Sequence, residues 1–135
     1  RQVAKARTVV EDLKQKGELG DVVILALGTN GTFSPTVGKN LVEAIGKERQ
    51  IYWVTAYGKH LQWQEDANRM IWSMAEKYDN IHVIDWAAYC AGHDDWFLND
   101  GIHLTQKGCQ AYTQMLYDNV STALNENNQV NQAMQ

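Results

Sequence analysis

Val22-Val23-Ile24-Leu25-Ala26-Leu27 is a continuous apolar run, and a polar, glycine-rich stretch, Gly28-Thr29-Asn30-Gly31-Thr32-Phe33-Ser34, follows it at once. A strand with one face in water alternates apolar and polar residues. This run does not alternate, so it reads as a strand buried on both faces, as in a parallel sheet. On its N-terminal side, residues 2–16 carry Val3, Ala6, Val10 and Leu13 at helical spacing, and Gly17 and Gly20 end that helix. On its C-terminal side, Pro35 stands near the start of a helix running to about Ile45, a place where its missing N–H costs least.

The rest of the chain repeats the pattern. Ile51–Val54 (IYWV) and Ile81–Ile84 (IHVI) read as two more strands. A helix from about Leu61 to Tyr78 lies between them, with Trp63, Ala67, Met70, Ile71, Met74 and Tyr78 tracing one face. A polar loop covers Asp85 to Leu104. The last helix, about Thr105 to Leu124, buries Ala111, Tyr112, Met115, Leu116 and Val120. One helix and then three strand–helix units imply right-handed crossovers, hence a three-layer α/β fold with a parallel sheet and helices on both faces. Residues 1–124 make one domain. The Asn/Gln-rich segment 125–135 lacks an apolar stripe and is expected to be a disordered polar tail.

Composition narrows the function. The chain has 135 residues, 44% of them hydrophobic, which is enough for one packed core. A net charge of −4 speaks against a nucleic acid or an anionic membrane as partner. No run approaches the ~18 apolar residues of a membrane span. Five Trp and six Tyr are core filler by default, and a sugar-binding surface as a second reading. The two cysteines, Cys90 and Cys109, flank the same loop. The sequence admits either free thiols or a disulfide.

Parallel sheets of this kind place their chemistry at the carboxyl ends of the strands. The loops there are Gly28–Ser34, Tyr57–His60 and Asp85–His103. Within the third, Asp100-Gly101-Ile102-His103 is the sharpest signal. Acyl-transfer chemistry on a serine needs an imidazole to take the hydroxyl proton and a carboxylate to hold the imidazole's other nitrogen. Three residues of separation with a glycine between let the chain turn back and bring the two together. Two unrelated loop residues are the plain alternative. The Asn30 amide, directly after a buried strand, can donate to a developing oxyanion, with backbone N–H groups at Gly28 beside it. Ordinary turn chemistry at Asn30-Gly31 is the alternative there.

The segments DVVILALGTNG (Asp21–Gly31) and WFLNDGIHLTQKG (Trp96–Gly108) resemble the SGNH (GDSL-like) hydrolase superfamily. Within it, the resemblance is to the extracytoplasmic domains of O-acetyltransferases that modify peptidoglycan and other surface polysaccharides. It covers Arg1 to about Leu124. It implies a flavodoxin-like SGNH fold, with Asn30 and Gly28 in the oxyanion hole and Asp100 and His103 as the triad acid and base. It implies a serine esterase or acyltransferase acting at the cell surface, using an acylated small molecule or a surface glycan. It implies no metal and no organic cofactor.

The family pattern also requires an Asp-Ser block on a first strand, followed by a segment ending in a block-two glycine. Neither is found in this chain. Its serines are Ser34, Ser73 and Ser121, and no family block places a nucleophile at any of them. The family's sheet has about five strands, whereas three are legible. The expectation is therefore a fold lacking its first strands and packing against a membrane-anchored N-terminal segment that carries the nucleophile. A non-catalytic glycan-binding or scaffolding domain on the same fold is the rival.

Other residues carry lesser signals. Trp96 and Phe97, just ahead of the acid–base pair, either contact substrate or pack beneath the loop. His60 is a further substrate-contact candidate. His93-Asp94-Asp95 has the residue types of a metal site, but a metal needs three or more converging ligands. Asp85 ends the third strand, where it could cap or brace the following loop.

Overall fold

The computed structural model describes residues 2–134, and the side chains of residues 2–125. The chain forms two compact units, Arg1–Tyr89 and Cys90–Gln135.

The first unit contains α1 (Val3–Gln15), β1 (Val22–Leu25), α2 (Pro35–Ile45), β2 (Gln50–Val54), α3 (Gln64–Lys77), β3 (Ile81–Ile84) and a single turn, α4 (Trp86–Tyr89). The strands form a parallel sheet in the order β1-β2-β3. Val23 and Leu25 pair with Ile51 and Trp53, which pair with Ile81 and Val83. Side chains alternate across a strand, so these six share one face. They join one core with Val3, Ala6 and Val10 of α1, Leu41, Val42 and Ile45 of α2, and Ile71 and Met74 of α3. Trp53, at the centre, is fully buried, with Phe33 stacked on it at 5.1 Å. The opposite face carries Ile24, Tyr52 and His82 in one row across the strands. Ile24 is 43% exposed.

Three boundaries differ from the sequence reading. β1 stops at Leu25, and Gly28–Asn30 forms a 3-10 turn. α3 starts at Gln64, so Trp63 precedes the helix instead of lying on its inner stripe, and it is 38% exposed. The stretch read as one polar loop holds two pieces of structure, α4 and a 3-10 turn at Asp94–Trp96. Short elements of this size lack the repeat length that makes periodicity legible.

Ser34 has a local structural duty. It caps α2, its Oγ accepting from the Val37 N–H at 3.2 Å, and Pro35 occupies the first helical turn. Thr55, 3% exposed, follows β2 and donates to Asp85 Oδ1 at 3.0 Å. Thr55 Oγ1 accepts from Ala87 N and Asp85 Oδ1 from Ala88 N, so the two side chains together cap α4.

The second unit consists of the Asp94–Trp96 turn, a short antiparallel bridge between Phe97 and Leu104, and α5 (Gln106–Met134). The expected polar tail, 125–135, begins within the bounds of α5, and the side chains of 126–135 lie outside the described residues. Cys90 is buried and Cys109 exposed, and no disulfide joins the two. No described helix is long and apolar enough to cross a membrane.

Candidate functional site

The loop between Phe97 and Leu104 is drawn closed by backbone bonds from Leu98 N to His103 O at 2.8 Å and from Gly101 N to Leu98 O at 2.9 Å. Gly101 adopts φ 69°, a left-handed conformation that a side chain would strain, and the reversal brings Asp100 back onto His103. Asp100 Oδ1 accepts from the backbone N–H groups of Ile102 and His103, each at 2.9 Å. Asp100 Oδ2 meets His103 Nδ1 at 2.5 Å.

These contacts fix the electrostatics of the pair. The His103 hydrogen bond first, and then the two backbone N–H donors, hold the Asp100 carboxyl at about 2. An ionised carboxylate only accepts hydrogen bonds. Nδ1 of His103 therefore carries a proton, and in the neutral ring Nε2 presents its lone pair. The His103 side chain is 76% exposed, and no described residue bonds to Nε2. The arrangement is an oriented base: one nitrogen is anchored on a carboxylate, the other is open to a reacting proton.

The base of the loop is tied to the start of α5. Thr105 N donates to Trp96 O at 2.9 Å, and Thr105 Oγ1 donates to Asp95 O at 2.9 Å. Thr105 Oγ1 also accepts from Gly108 N at 3.2 Å, capping the helix. Lys107 Nζ reaches Asp95 Oδ2 at 2.5 Å, and this bond lowers the Asp95 carboxyl below its usual range. A Cβ at Gly108 would lie 2.0 Å from Trp96 O, so only glycine lets the helix backbone approach this closely. Trp96 is 8% exposed and stacks on His93 at 3.8 Å, while Phe97 is half-buried. Thus one face of the Trp96 ring is occupied within the loop. No cluster of three metal-ligating side chains occurs among the described residues.

The second candidate group belongs to the first unit. Three residues beyond the paired Leu25 and Trp53 on their respective strands, Gly28 lies beside Ala56. A Cβ on Gly28 would come within 2.9 Å of the Ala56 Cβ. The Ala56 backbone is clamped by Asn68 of α3, whose Oδ1 accepts from Ala56 N at 2.7 Å and whose Nδ2 donates to Ala56 O at 2.9 Å. Trp63 Nε1 donates to Gly28 O at 3.3 Å. Asn30 ends the 3-10 turn that Gly28 begins and is exposed. His60 is also exposed, in the turn that follows β2. The structure thus brings Asp100 to His103 in one unit and Gly28 to Asn30 in the other.

Sequence reasoning missed Asn68 and Trp63 as supports of the Gly28 loop. The one available signal was an amide side chain next to Ala67 and Ile71, on the inward side of an amphipathic helix.

Comparison with known proteins shows what the chain is similar to. No family model matches the chain. An O-acetyltransferase OatA of Staphylococcus aureus is 33% identical over 123 residues, covering 90% of this chain and 20% of that protein. The peptidoglycan O-acetyltransferase OatA of Listeria monocytogenes is 36% identical over 116 residues, covering 86% of this chain and 18% of the relative. The chain is thus similar to one part of these O-acetyltransferases. It spans about a fifth of the length of these curated relatives. Among solved structures, it superposes on the C-terminal catalytic domain of Streptococcus pneumoniae peptidoglycan O-acetyltransferase A, solved with a methylsulfonyl adduct. The TM-score is 0.79 at 20% identity, over 93% of this chain and 77% of that domain. The three-stranded parallel sheet and its helices are therefore an SGNH-like α/β fold.

Proposed function

We propose that this chain supplies the acid–base half of an O-acetyltransferase acting on cell-wall glycan. The observation that carries the reading is the ionised Asp100 seated on His103 Nδ1, which leaves Nε2 as the proton acceptor. The homology to peptidoglycan O-acetyltransferases names the reaction class.

The chemistry follows from these positions. A serine hydroxyl gives its proton to His103 Nε2 as its oxygen attacks the carbonyl carbon of an acetyl donor. Asp100 stabilises the imidazolium that forms. The family resemblance of the Asp21–Gly31 segment assigns the Asn30 amide and the Gly28 turn to the oxygen that becomes negative in the tetrahedral intermediate. As the intermediate collapses, the donor's C–O bond breaks and the leaving alcohol takes the proton from His103. A glycan hydroxyl then passes its proton to His103 and attacks the acetyl-serine. Collapse of the second intermediate returns that proton to the serine and releases the O-acetylated glycan. Water in place of the glycan would give esterase activity.

In this reading the serine lies in a segment of the same protein outside residues 1–135. Ser34 is engaged as a helix cap, and Ser73 donates to Met70 O at 2.7 Å on α3. β1 is an edge strand whose outer edge no described strand pairs, and Ile24 on it is 43% exposed. The matched catalytic domain extends beyond this chain, which covers 77% of it. A segment pairing along β1 would satisfy the open edge and could carry the nucleophile. The whole protein would hold this domain outside the cytoplasm, beside the wall, as part of a membrane-anchored chain.

The test is a serine-directed sulfonyl or phosphonyl fluoride on the complete protein, with the adduct mapped by peptide mass spectrometry. An adduct on a serine outside residues 1–135, lost in His103→Ala, is the expected result. An adduct on Ser34, Ser73 or Ser121, or labelling that persists in His103→Ala, would overturn the assignment.

A further inference from the structure

Trp63 combines partial exposure with a fixed hydrogen bond. Its ring is 38% exposed, so burial alone does not account for its placement. Its indole N–H is nevertheless committed to a backbone carbonyl, that of Gly28 at 3.3 Å. Gly28 opens the three-residue turn that Asn30 closes. Its other side is blocked by Ala56, where a Cβ on Gly28 would come within 2.9 Å, and Ala56 is itself held at both backbone groups by Asn68. The Gly28 peptide is thus gripped from two directions by groups anchored on α3 and the residue before it. Rotation of that peptide would swing everything that follows it in the turn, the Asn30 side chain included.

We propose that Trp63 is a positioning residue for the oxyanion donor: its N–H···O bond to Gly28 fixes the peptide whose orientation aims the Asn30 amide. This rests on the oxyanion role given to Asn30 above. The grip matters because a preorganised donor must already point to where charge will develop. A loop free to rotate would spend binding energy on ordering itself at each turnover.

The experiment is a double-mutant cycle in the complete protein, using Trp63→Phe, Asn30→Ala and the pair. Turnover and KM are measured for a small aryl acetate donor, and melting temperature is recorded for each variant. Trp63→Phe keeps the ring and removes only the N–H. It should lower kcat about 5-fold, the worth of one neutral hydrogen bond, with KM nearly unchanged. In the Asn30→Ala background the same change should cost less than about twofold, because residues acting through one another are not additive. Equal losses in both backgrounds would overturn the proposal, as would a Trp63→Phe enzyme that turns over like wild type while Asn30→Ala is impaired. Wild-type turnover in Asn30→Ala would instead bring down the oxyanion reading itself, and the role of Trp63 with it.

Discussion

Gly108→Ala tests whether the acid–base loop is held by the close approach of α5 to the Asp94–Trp96 turn. The added Cβ would lie 2.0 Å from Trp96 O, 2.9 Å from its carbonyl carbon and 3.1 Å from its Cα. A carbon–oxygen contact relaxes at about 3.3 Å, so the two backbones must part by about 1.3 Å. All three obstructing atoms are main chain, and no side-chain rotation can absorb the shift. Overpacking of this kind costs about 1–3 kcal/mol. Alanine in a helix returns about 1 kcal/mol relative to glycine, so the net loss should be up to about 2 kcal/mol. The movement also reaches the chemistry, because Trp96 O accepts from Thr105 N, two residues beyond His103. A displacement near 1 Å at a reacting group can cost about 100-fold in rate, so kcat should fall about 10- to 100-fold. Urea unfolding and acetyl-transfer kinetics of the complete protein would measure both. A Gly108→Ala protein as stable and as active as wild type would refute the reasoning, since parting the two backbones beside the acid–base loop would then leave its geometry untouched.

Asn30→Ala should lower kcat about 100-fold or more if the amide stabilises an oxyanion, and a loss below about threefold would reduce it to a turn residue. The Asp100 carboxyl is depressed in the folded state to about 2, chiefly by His103. A depressed carboxylate adds stability that is fully present above its unfolded value near ~3.9 and disappears as pH falls through the folded value. The stability difference between wild type and Asp100→Asn should therefore be constant above about pH 4 and shrink between about pH 4 and 2, and a urea series showing no shrinkage would contradict the pairing. Thr55→Val removes a buried hydroxyl that serves both Asp85 and Ala87 N, and should destabilise by about 1–3 kcal/mol in chemical unfolding. Native alkylation should modify Cys109 and spare Cys90, which is 1% exposed, whereas denaturation should expose both to reagent.

Much of the architecture was legible because long periodic segments carry their own signal. VVIL of the VVILAL run, IYWV and IHVI each lie in a strand of the parallel sheet. The four long helices begin within about three residues of where they were expected, although α5 continues to Met134 past its expected end at Leu124. The Asp100–His103 contact was legible for a local reason: with three residues and a glycine between them, the partners had to turn toward each other or not meet at all. Trp63 was misread because helical periodicity cannot see where a helix begins. Counted with Ala67 and Met70 it looks like core, yet it stands one residue before α3 and points its N–H at a different loop. Asn68 was passed over because its partners, the two backbone groups of Ala56, lie on another element.

The sequence by itself determined the alternation of strands and helices, the turn that joins Asp100 to His103, and the apolar faces that make the core. Each depends on residues within a few positions of one another, where spacing translates directly into geometry. Only the tertiary structure decided that Gly28 lies against Ala56, that Trp63 and Asn68 brace that contact, and that Gly108 must lack a side chain beneath Trp96. Those contacts join segments 12 to 35 residues apart. They follow from how a parallel sheet sets one strand's register against the next and how a helix seats on a turn, distances that no local pattern encodes.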